Sequence, residues 1–379
     1  MRVLTLSTLF PDASRPNFGV FVERQTRGLA AVPGVEVTVV APVGLPPWPL
    51  SRSGHYRSLA QLPQRETWHG LDVHRPRFTT IPGTQGRWHA AALERALVPV
   101  LDRLQFDVID ASFFFPDGPA AVALGRRYGV PVSIKARGAD IHYWGRSTAT
   151  AKQVLAAGRD ADGLLAVSAA IRDDMIALGM PAERIAVHRT GIDRDRFHPR
   201  GRVPGRRVVA VGALIPRKGH DVVIRAVASL PGVTLDIAGE GPERERLAAL
   251  IASLGVGDRV RLLGAVPHDD LPARIAAADV MALASASEGL ANAWVEALAC
   301  GTPVVVTPAG GAAEVVTAAA GRLAERTPEA FAEAIGALLA DPLPVEGVTA
   351  SVAAFGWDTN AAQLAAHLRR LVAEGRRRG

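Results

Sequence analysis

Residues 287–306 read Ser287-Glu-Gly-Leu-Ala-Asn-Ala-Trp-Val-Glu-Ala-Leu-Ala-Cys-Gly-Thr-Pro-Val-Val-Val306, and their order predicts a loop, a helix and a tight exit into a strand. Gly289 suits a loop because it lacks a Cβ. Asn292 to Ala299 are mostly good helix formers. Gly301 stands where helices commonly end, and Pro303 blocks continuation. The three valines then read as a short buried strand. The amides of Leu290, Ala291 and Asn292 therefore crown a helix N-terminus, where free N–H groups and the helix dipole favour an anion. Glu288 and Glu296 flank that position, with seven residues between them. Such a site suits a phosphate with hydroxyls on either side of it, as in a nucleotide sugar. Two glutamates at this spacing are common by themselves and mean only solvated side chains. The Gly-rich entry and the Cys-Gly-Thr-Pro exit give the spacing its meaning.

Outward from this segment, apolar strand-like runs alternate with helix-like stretches along the whole chain, the pattern of α/β domains with parallel sheets. In the first half the runs are residues 2–6, 35–40, 71–75, 108–110, 130–134, 163–167 and 185–188. In the second they are 208–211, 234–238, 260–263, 280–283 and 304–306. The stretch Phe197-His-Pro-Arg-Gly-Arg-Val-Pro-Gly205 separates the two series and has the Pro/Gly-rich, basic composition of a linker. We expect domains at residues 1–198 and 199–354, with a terminal helix over 355–379. That helix opens at Asp358-Thr359 and aligns Leu364, Leu368 and Leu371 on one face. Residues 44–87 are rich in Pro, Arg, Trp and His and promise little regular structure. Their Trp48, Trp68 and Trp88, with Arg52, Arg57 and Arg77, either meet a membrane or acceptor or pack on their own domain.

At 379 residues and 48% hydrophobic content the chain can build two cores. No apolar run approaches the ~20 residues that span a bilayer. Met1 to Phe10 lack a cleavage site and run into Pro11, so they read as a first strand and not as a leader. The lone cysteine, Cys300, excludes an intrachain disulfide and fits a reducing, cytoplasmic setting. The net charge of +6 comes from the first half, where 24 Lys and Arg face 18 Asp and Glu. This mild excess suits contact with anionic membrane at the inner face of the cell membrane, and equally a solvated face. It gives no case for nucleic acid, and no zinc-finger or RNP-like spacing occurs. Only three lysines are present, so Lys218 between Arg217 and Gly219 is a candidate of interest.

Three further segments accompany the opening one. In Phe10-Pro-Asp-Ala-Ser-Arg-Pro-Asn-Phe-Gly19, a strand runs through a loop to a glycine before a helix. In Val209-Ala-Val-Gly-Ala-Leu-Ile-Pro-Arg-Lys-Gly-His-Asp221, a strand ends in a glycine loop bearing Arg217 and Lys218. In Asp236-Ile-Ala-Gly-Glu-Gly-Pro-Glu243, Gly239 follows a strand in a Gly-x-Gly-Pro turn. Together with Leu263-Gly-Ala-Val-Pro267 and Lys135-Ala-Arg-Gly-Ala-Asp140, these resemble the retaining glycosyltransferases of family 4 over nearly the whole chain.

The resemblance implies the GT-B fold: two Rossmann-like, doubly wound parallel-sheet domains facing across a cleft. The N-terminal domain would bind the acceptor and the C-terminal one the nucleotide sugar, the terminal helix crossing back to the first. It also assigns roles. Gly19 lets backbone approach the donor diphosphate, Arg217 and Lys218 neutralise that diphosphate, and Gly239 lines the nucleotide pocket. Backbone near Val266 meets the base, Glu288 the sugar hydroxyls and Glu296 the ribose. Asp140, or His142 beside it, contacts the reacting sugar. Ser168 and Asp193 rank lower. The chain departs from the commonest pattern at Ala213, where relatives carry arginine, and at Arg137, where many carry histidine.

The reaction so implied moves a sugar, with retention, from a nucleotide-diphosphate sugar to a saccharide or lipid-linked saccharide, in cell-surface polysaccharide or glycolipid synthesis. It needs no cofactor and no metal: no Asp-x-Asp triad is placed beside the diphosphate, and a helix N-terminus with Arg217 and Lys218 does that work. Domain closure would assemble the site. A doubly wound oxidoreductase would need a Gly-x-Gly-x-x-Gly turn after an early strand, which residues 9–19 lack. A sugar-nucleotide epimerase or a phosphorylase on the same fold stays open, though a phosphorylase wants a lysine for its cofactor. A silent scaffold would have no use for Arg217, Lys218, Glu288 and Glu296.

Overall fold

The computed structural model describes residues 1–378, which divide into two compact units. Unit 1 comprises residues 1–191 with the segment from Trp357 onward, and unit 2 comprises Ile192–Gly356. The division does not fall at the Pro/Gly-rich stretch. That stretch packs on unit 2, where Arg202 donates to the carbonyls of Ala278 and Gly301. The chain changes units at Ile192, whose amide binds the Phe355 carbonyl at 2.6 Å.

The strands in chain order are β1 (Arg2–Leu6), β2 (Glu36–Val40), β3 (Val43–Leu45), β4 (Arg65–Trp68), β5 (Leu71–His74), β6 (Arg77–Thr79), β7 (Val108–Ala111), β8 (Val132–Ala136), β9 (Gly163–Ala166) and β10 (Ile185–Val187). Unit 2 adds β11 (Arg207–Val211), β12 (Thr234–Ala238), β13 (Val260–Gly264), β14 (Val280–Leu283), β15 (Val304–Val306) and β16 (Gly321–Leu323). Unit 1 holds an eight-stranded sheet in the order β10-β9-β8-β7-β1-β2-β5-β4, and unit 2 a six-stranded sheet in the order β13-β12-β11-β14-β15-β16. Both sheets are parallel except for β4 against β5. In each sheet the strand order reverses once, between β1 and β7 and between β11 and β14. Outside the carboxyl ends of such a reversal, helices leave on opposite faces and open a crevice, the usual ligand position in doubly wound sheets.

The stretch 44–87 is more ordered than its composition suggests. It contains β3 to β6 and a helix at His55–Gln61. Arg75 organises it: wholly buried, its guanidinium donates to Glu66 at 2.5 Å and to the Pro11 carbonyl at 2.7 Å. Trp68 lies against that guanidinium, whereas Trp48 and Trp88 are exposed. Arg77 is turned inward onto the carbonyls of Leu62 and Arg75.

The helix Trp357–Arg378 joins unit 1. Leu364, Ala365 and Leu368 pack against Val3, Leu29, Val108 and Leu165, and each leucine so buried contributes about 1.5–3 kcal/mol. Beneath it the sheet face is polar. Thr5, Asp110 and Ser133 are neighbours across β1, β7 and β8, and Ser133 Oγ lies 3.1 Å from His367 Nε2. Both Asp110 oxygens lack a hydrogen-bond partner among the described residues.

Burial pushes the Asp110 carboxyl up to about 6, against the pull of Lys135 and Arg137. In the unfolded chain it ionises near 3.8, so between these values only the folded state keeps the proton. Its contribution to stability therefore falls as pH rises from about 4 to about 6, and then levels. Asp110→Asn should flatten this fall by up to ~3 kcal/mol. Thermal unfolding at pH 4, 6 and 8 measures it, and identical slopes in the two proteins would overturn it.

Candidate functional site

The reversal in unit 2 is closed by charge. After β11 the chain turns through Gly212 into a single 3-10 turn, Pro216–Lys218. After β14 it runs through residues 284–291 into the helix Asn292–Ala299. The Ala286 amide binds the Arg217 carbonyl at 2.7 Å, and Arg217 Nη1 donates to the Ser287 carbonyl at 2.5 Å. Lys218 Nζ then reaches Glu288 Oε1 at 2.5 Å, with Arg217 3.4 Å from the other carboxylate oxygen. Glu288 is buried and Lys218 half-buried beside it. Two cations thus face one carboxylate. Burial works to raise the Glu288 carboxyl, but Lys218 and Arg217 outweigh it and hold the group below its ordinary value. Glu288 is ionised at neutral pH, and the pair of loops keeps a net positive charge.

Gly239 belongs to the third loop of this unit. A Cβ there would lie 1.9 Å from the Gly212 carbonyl oxygen, so two loop backbones touch where a side chain would separate them. Glu240 continues the loop and accepts from the Ala265 amide at 3.1 Å, which fixes the turn carrying Val266. Leu290 and Ala291 are buried at the head of the helix, with Ala291 as its cap residue. Its first amides lack partners within the helix by construction. Glu296, one turn further in, is buried, and its Oε1 lies 3.0 Å from His268 Nε2. Burial and Glu296 push the Cys300 thiol up to about 12, so this thiol stays protonated and packs at the helix end.

Gly19 and Asp140 belong to unit 1. Gly19 adopts φ +70° and precedes the helix Val20–Ala30, and a Cβ there would meet the Leu9 carbonyl oxygen at 2.5 Å. Only glycine closes this loop. The loop is tied across the strand reversal by the Thr8 amide, which donates to Asp117 Oδ2 at 2.9 Å. Asp140 has no capacity to spare. It is fully buried and accepts from the amides of Phe114, Arg137, Gly138 and Ile141 at 2.8–3.2 Å. Burial raises its pKa while those amides and Arg137 lower it. Its geometry is that of a group that positions a loop.

His142 is bound through Nε2 to Asp174 at 2.8 Å. Ser168 caps the helix Ala169–Ala177 by accepting from the Ile171 amide. Asp193 accepts from the Arg196 amide at 3.3 Å.

Sequence reasoning missed Asp117 and His268. Asp117 had a signal, since a Pro-Asp pair opening an apolar run marks a helix start. It is wholly buried, its Oδ1 has no partner among the described residues, and burial pushes its carboxyl up to about 7. His268 had none, because its partner Glu296 is distant in sequence. Lys135 is likewise hidden: buried, it lies 2.8 Å from both Gln25 Oε1 and His188 Nδ1. The His188 Nε2–H donates to the Asn360 carbonyl, so Lys135 must donate to Nδ1.

Residues 192–350 match the family described as Glycosyl transferases group 1, and residues 19–196 match Glycosyltransferase Family 4. A GDP-mannose-dependent alpha-(1-6)-phosphatidylinositol monomannoside mannosyltransferase of Mycolicibacterium smegmatis is 35% identical over 237 residues, 55% of this chain and 62% of that one. The chain thus spans about three fifths of the length of the curated relatives that it matches first. A protein of Bacillus subtilis described as a teichuronic acid biosynthesis glycosyltransferase, TuaC, is 27% identical over 82% of each chain. Among solved structures, sucrose-phosphate synthase from Thermosynechococcus elongatus superposes with a TM-score of 0.83 at 22% identity, covering 99% of this chain and 100% of that one. Anabaena HepE in complex with UDP and glucose gives 0.74 at 22% identity, over 98% and 100%. At these identities the likeness is one of fold, and the fold is GT-B.

Removing Lys218 leaves the buried Glu288 carboxylate to Arg217 alone, at 3.4 Å, which costs more than removing both members of the pair. Lys218→Met should destabilise the protein by about 3 kcal/mol, and adding Glu288→Leu should recover most of that. Denaturant unfolding of the two single variants and the double variant measures the coupling. A coupling near zero would show that the pair does not hold the two loops.

Proposed function

The chain belongs to the family 4 glycosyltransferases, the group 1 glycosyl transferases, and from that premise we propose that it is a retaining, metal-independent enzyme. It would move a sugar from a nucleotide-diphosphate sugar to a hydroxyl of a saccharide or lipid-linked acceptor. One observation carries the reading: two cations share one buried carboxylate at the reversal of the unit 2 sheet, beside the head of the helix that bears Glu296. Before donor arrives, Glu288 occupies Lys218 and Arg217. A diphosphate brings more negative charge than Glu288, takes over the two cations and frees the carboxylate for sugar hydroxyls. The amides of Leu290, Ala291 and Asn292 add the helix dipole on the same anion.

The negative charge on the diphosphate grows as the glycosidic bond loosens. Arg217 and Lys218 therefore bind the transition state more strongly than the ground state. Fixed cations can supply this stabilisation without a divalent ion, which supports metal independence. Val266 and Gly239 border the nucleotide, and Glu296 takes the ribose. Unit 1 takes the acceptor, with Gly19 and the loop held by Asp140 shaping its ligand end. The mannosyltransferase and teichuronic acid relatives support an acceptor in cell-surface glycolipid or polysaccharide synthesis.

Among the described residues no helix is long and apolar enough to cross a membrane. We propose peripheral contact at the inner face instead. Trp48, Leu50 and Trp88 are exposed on unit 1, Arg52 and Arg57 are exposed near the first two in sequence, and aromatics favour the headgroup layer.

A panel of UDP-, GDP- and ADP-sugars should raise the unfolding temperature with one base above the others. The donor so identified should be turned over in excess chelator, with the product anomer matching the donor by NMR. Lys218→Ala should lower kcat about 10²- to 10³-fold. Loss of turnover in chelator, restored by a divalent ion, would refute the metal-free site, and an inverted anomer the retention. Co-sedimentation with phosphatidylglycerol vesicles should fall severalfold in a Trp48→Ala/Trp88→Ala variant. Unchanged co-sedimentation would exclude these side chains as the contact.

A further inference from the structure

We propose that His268 is the positioning residue of ribose recognition: it fixes the Glu296 carboxylate so that one oxygen is held by the protein and the other is presented to the sugar of the nucleoside. This rests on the reading of Glu296 given above and deepens it.

Glu296 is buried on the second turn of its helix, where a carboxylate with a free choice of rotamer would need an ordering contact. That contact is His268, from the turn after β13 that also carries Val266. Because a carboxylate only accepts, the 3.0 Å contact from Nε2 to Glu296 Oε1 requires the proton on Nε2. The imidazole is itself held. The Phe197 ring packs edge-on against it, with centroids 5.4 Å apart at 67°. Arg196 donates to the His268 carbonyl at 3.2 Å and pairs with Asp269 next to it. The opening residues of unit 2 thus fix the turn, the turn fixes His268, and His268 fixes Glu296. A hydroxyl bound to a carboxylate with one defined free oxygen loses less entropy than one bound to a rotating group, so the geometry favours the nucleoside that carries the hydroxyl.

The test compares UDP and GDP with their 2′-deoxy and 3′-deoxy forms by calorimetry, using the base that the wild type holds more tightly. In the wild type the loss of the recognised hydroxyl should cost about 10- to 100-fold in affinity, the range for one hydrogen bond to a charged group. His268→Phe keeps a ring against Phe197 but cannot donate, and should bring the two nucleotides within about threefold of each other. His268→Gln places an amide N–H near the position of Nε2 and should restore most of the discrimination. Glu296→Ala serves as the reference for its complete loss. If His268→Phe discriminates as the wild type does while Glu296→Ala does not, the positioning role is overturned and the ribose reading stands. If Glu296→Ala also keeps the discrimination, or neither nucleotide binds the wild type, the ribose reading fails and the role of His268 fails with it. If His268→Gln behaves like His268→Phe, the hydrogen bond is not what orders Glu296, and the proposal is likewise overturned.

Discussion

A half-buried ion pair, Lys218 with Glu288, stands where the strand order of unit 2 turns back on itself. Parallel strands must be joined by right-handed crossovers. Helices therefore leave β11 and β14 on opposite faces, and nothing covalent spans the gap between their loops. The Lys218–Glu288 contact spans it, with Arg217 gripping the same loop through the Ser287 carbonyl. An uncompensated second cation in such a place would weaken the unit unless an anion were to join it. The same arrangement that ties the two loops together leaves them with one cation more than the carboxylate balances.

Unit 1 solves the matching problem with a neutral device. There the loop after β1 is held to the far side of the reversal by a backbone amide on Asp117, a carboxyl that burial keeps close to half protonated near neutral pH. Gly19, Asp117 and Asp140 shape loops at the carboxyl ends of β1, β7 and β8. None of the three brings a free charge to the surface of the unit. The difference is physical: unit 2 carries fixed charge at the carboxyl ends of β11 and β14, while unit 1 carries shaped backbone at those of β1, β7 and β8.

Much of this was legible in the chain itself. The strands that line the two reversals were readable because buried parallel strands are continuous apolar runs. The helix Asn292–Ala299 was readable because its start and stop residues are local. Arg217 with Lys218 stood out against a background nearly free of lysine. Three features were not legible. Residues 44–87 looked irregular because the force that orders them is one buried arginine, whose partners Glu66 and Pro11 have no periodic signature. The crowding of amides on Asp140 was hidden because a Gly-x-Asp turn does not reveal how many amides the carboxylate will accept. The change of units at Ile192 was not readable because a Pro- and Gly-rich stretch can dock as easily as it can link. For residues 44–87 and for the change of units the deciding contacts join residues far apart in sequence, Arg75 with Pro11 and Ile192 with Phe355.

The return of the helix Trp357–Arg378 to unit 1 makes unit 2, in effect, an insertion within its neighbour. Chains emerge from the ribosome from the amino end, at roughly 5–20 residues per second. Unit 2 is continuous and can complete its core as soon as residue 356 is out. Unit 1 cannot, since Val3, Leu29, Val108 and Leu165 wait for Leu364 and Leu368 to cover them. The part translated first is therefore the part finished last, and a nascent chain stalled anywhere in the second unit exposes an apolar stripe that chaperones would recognise.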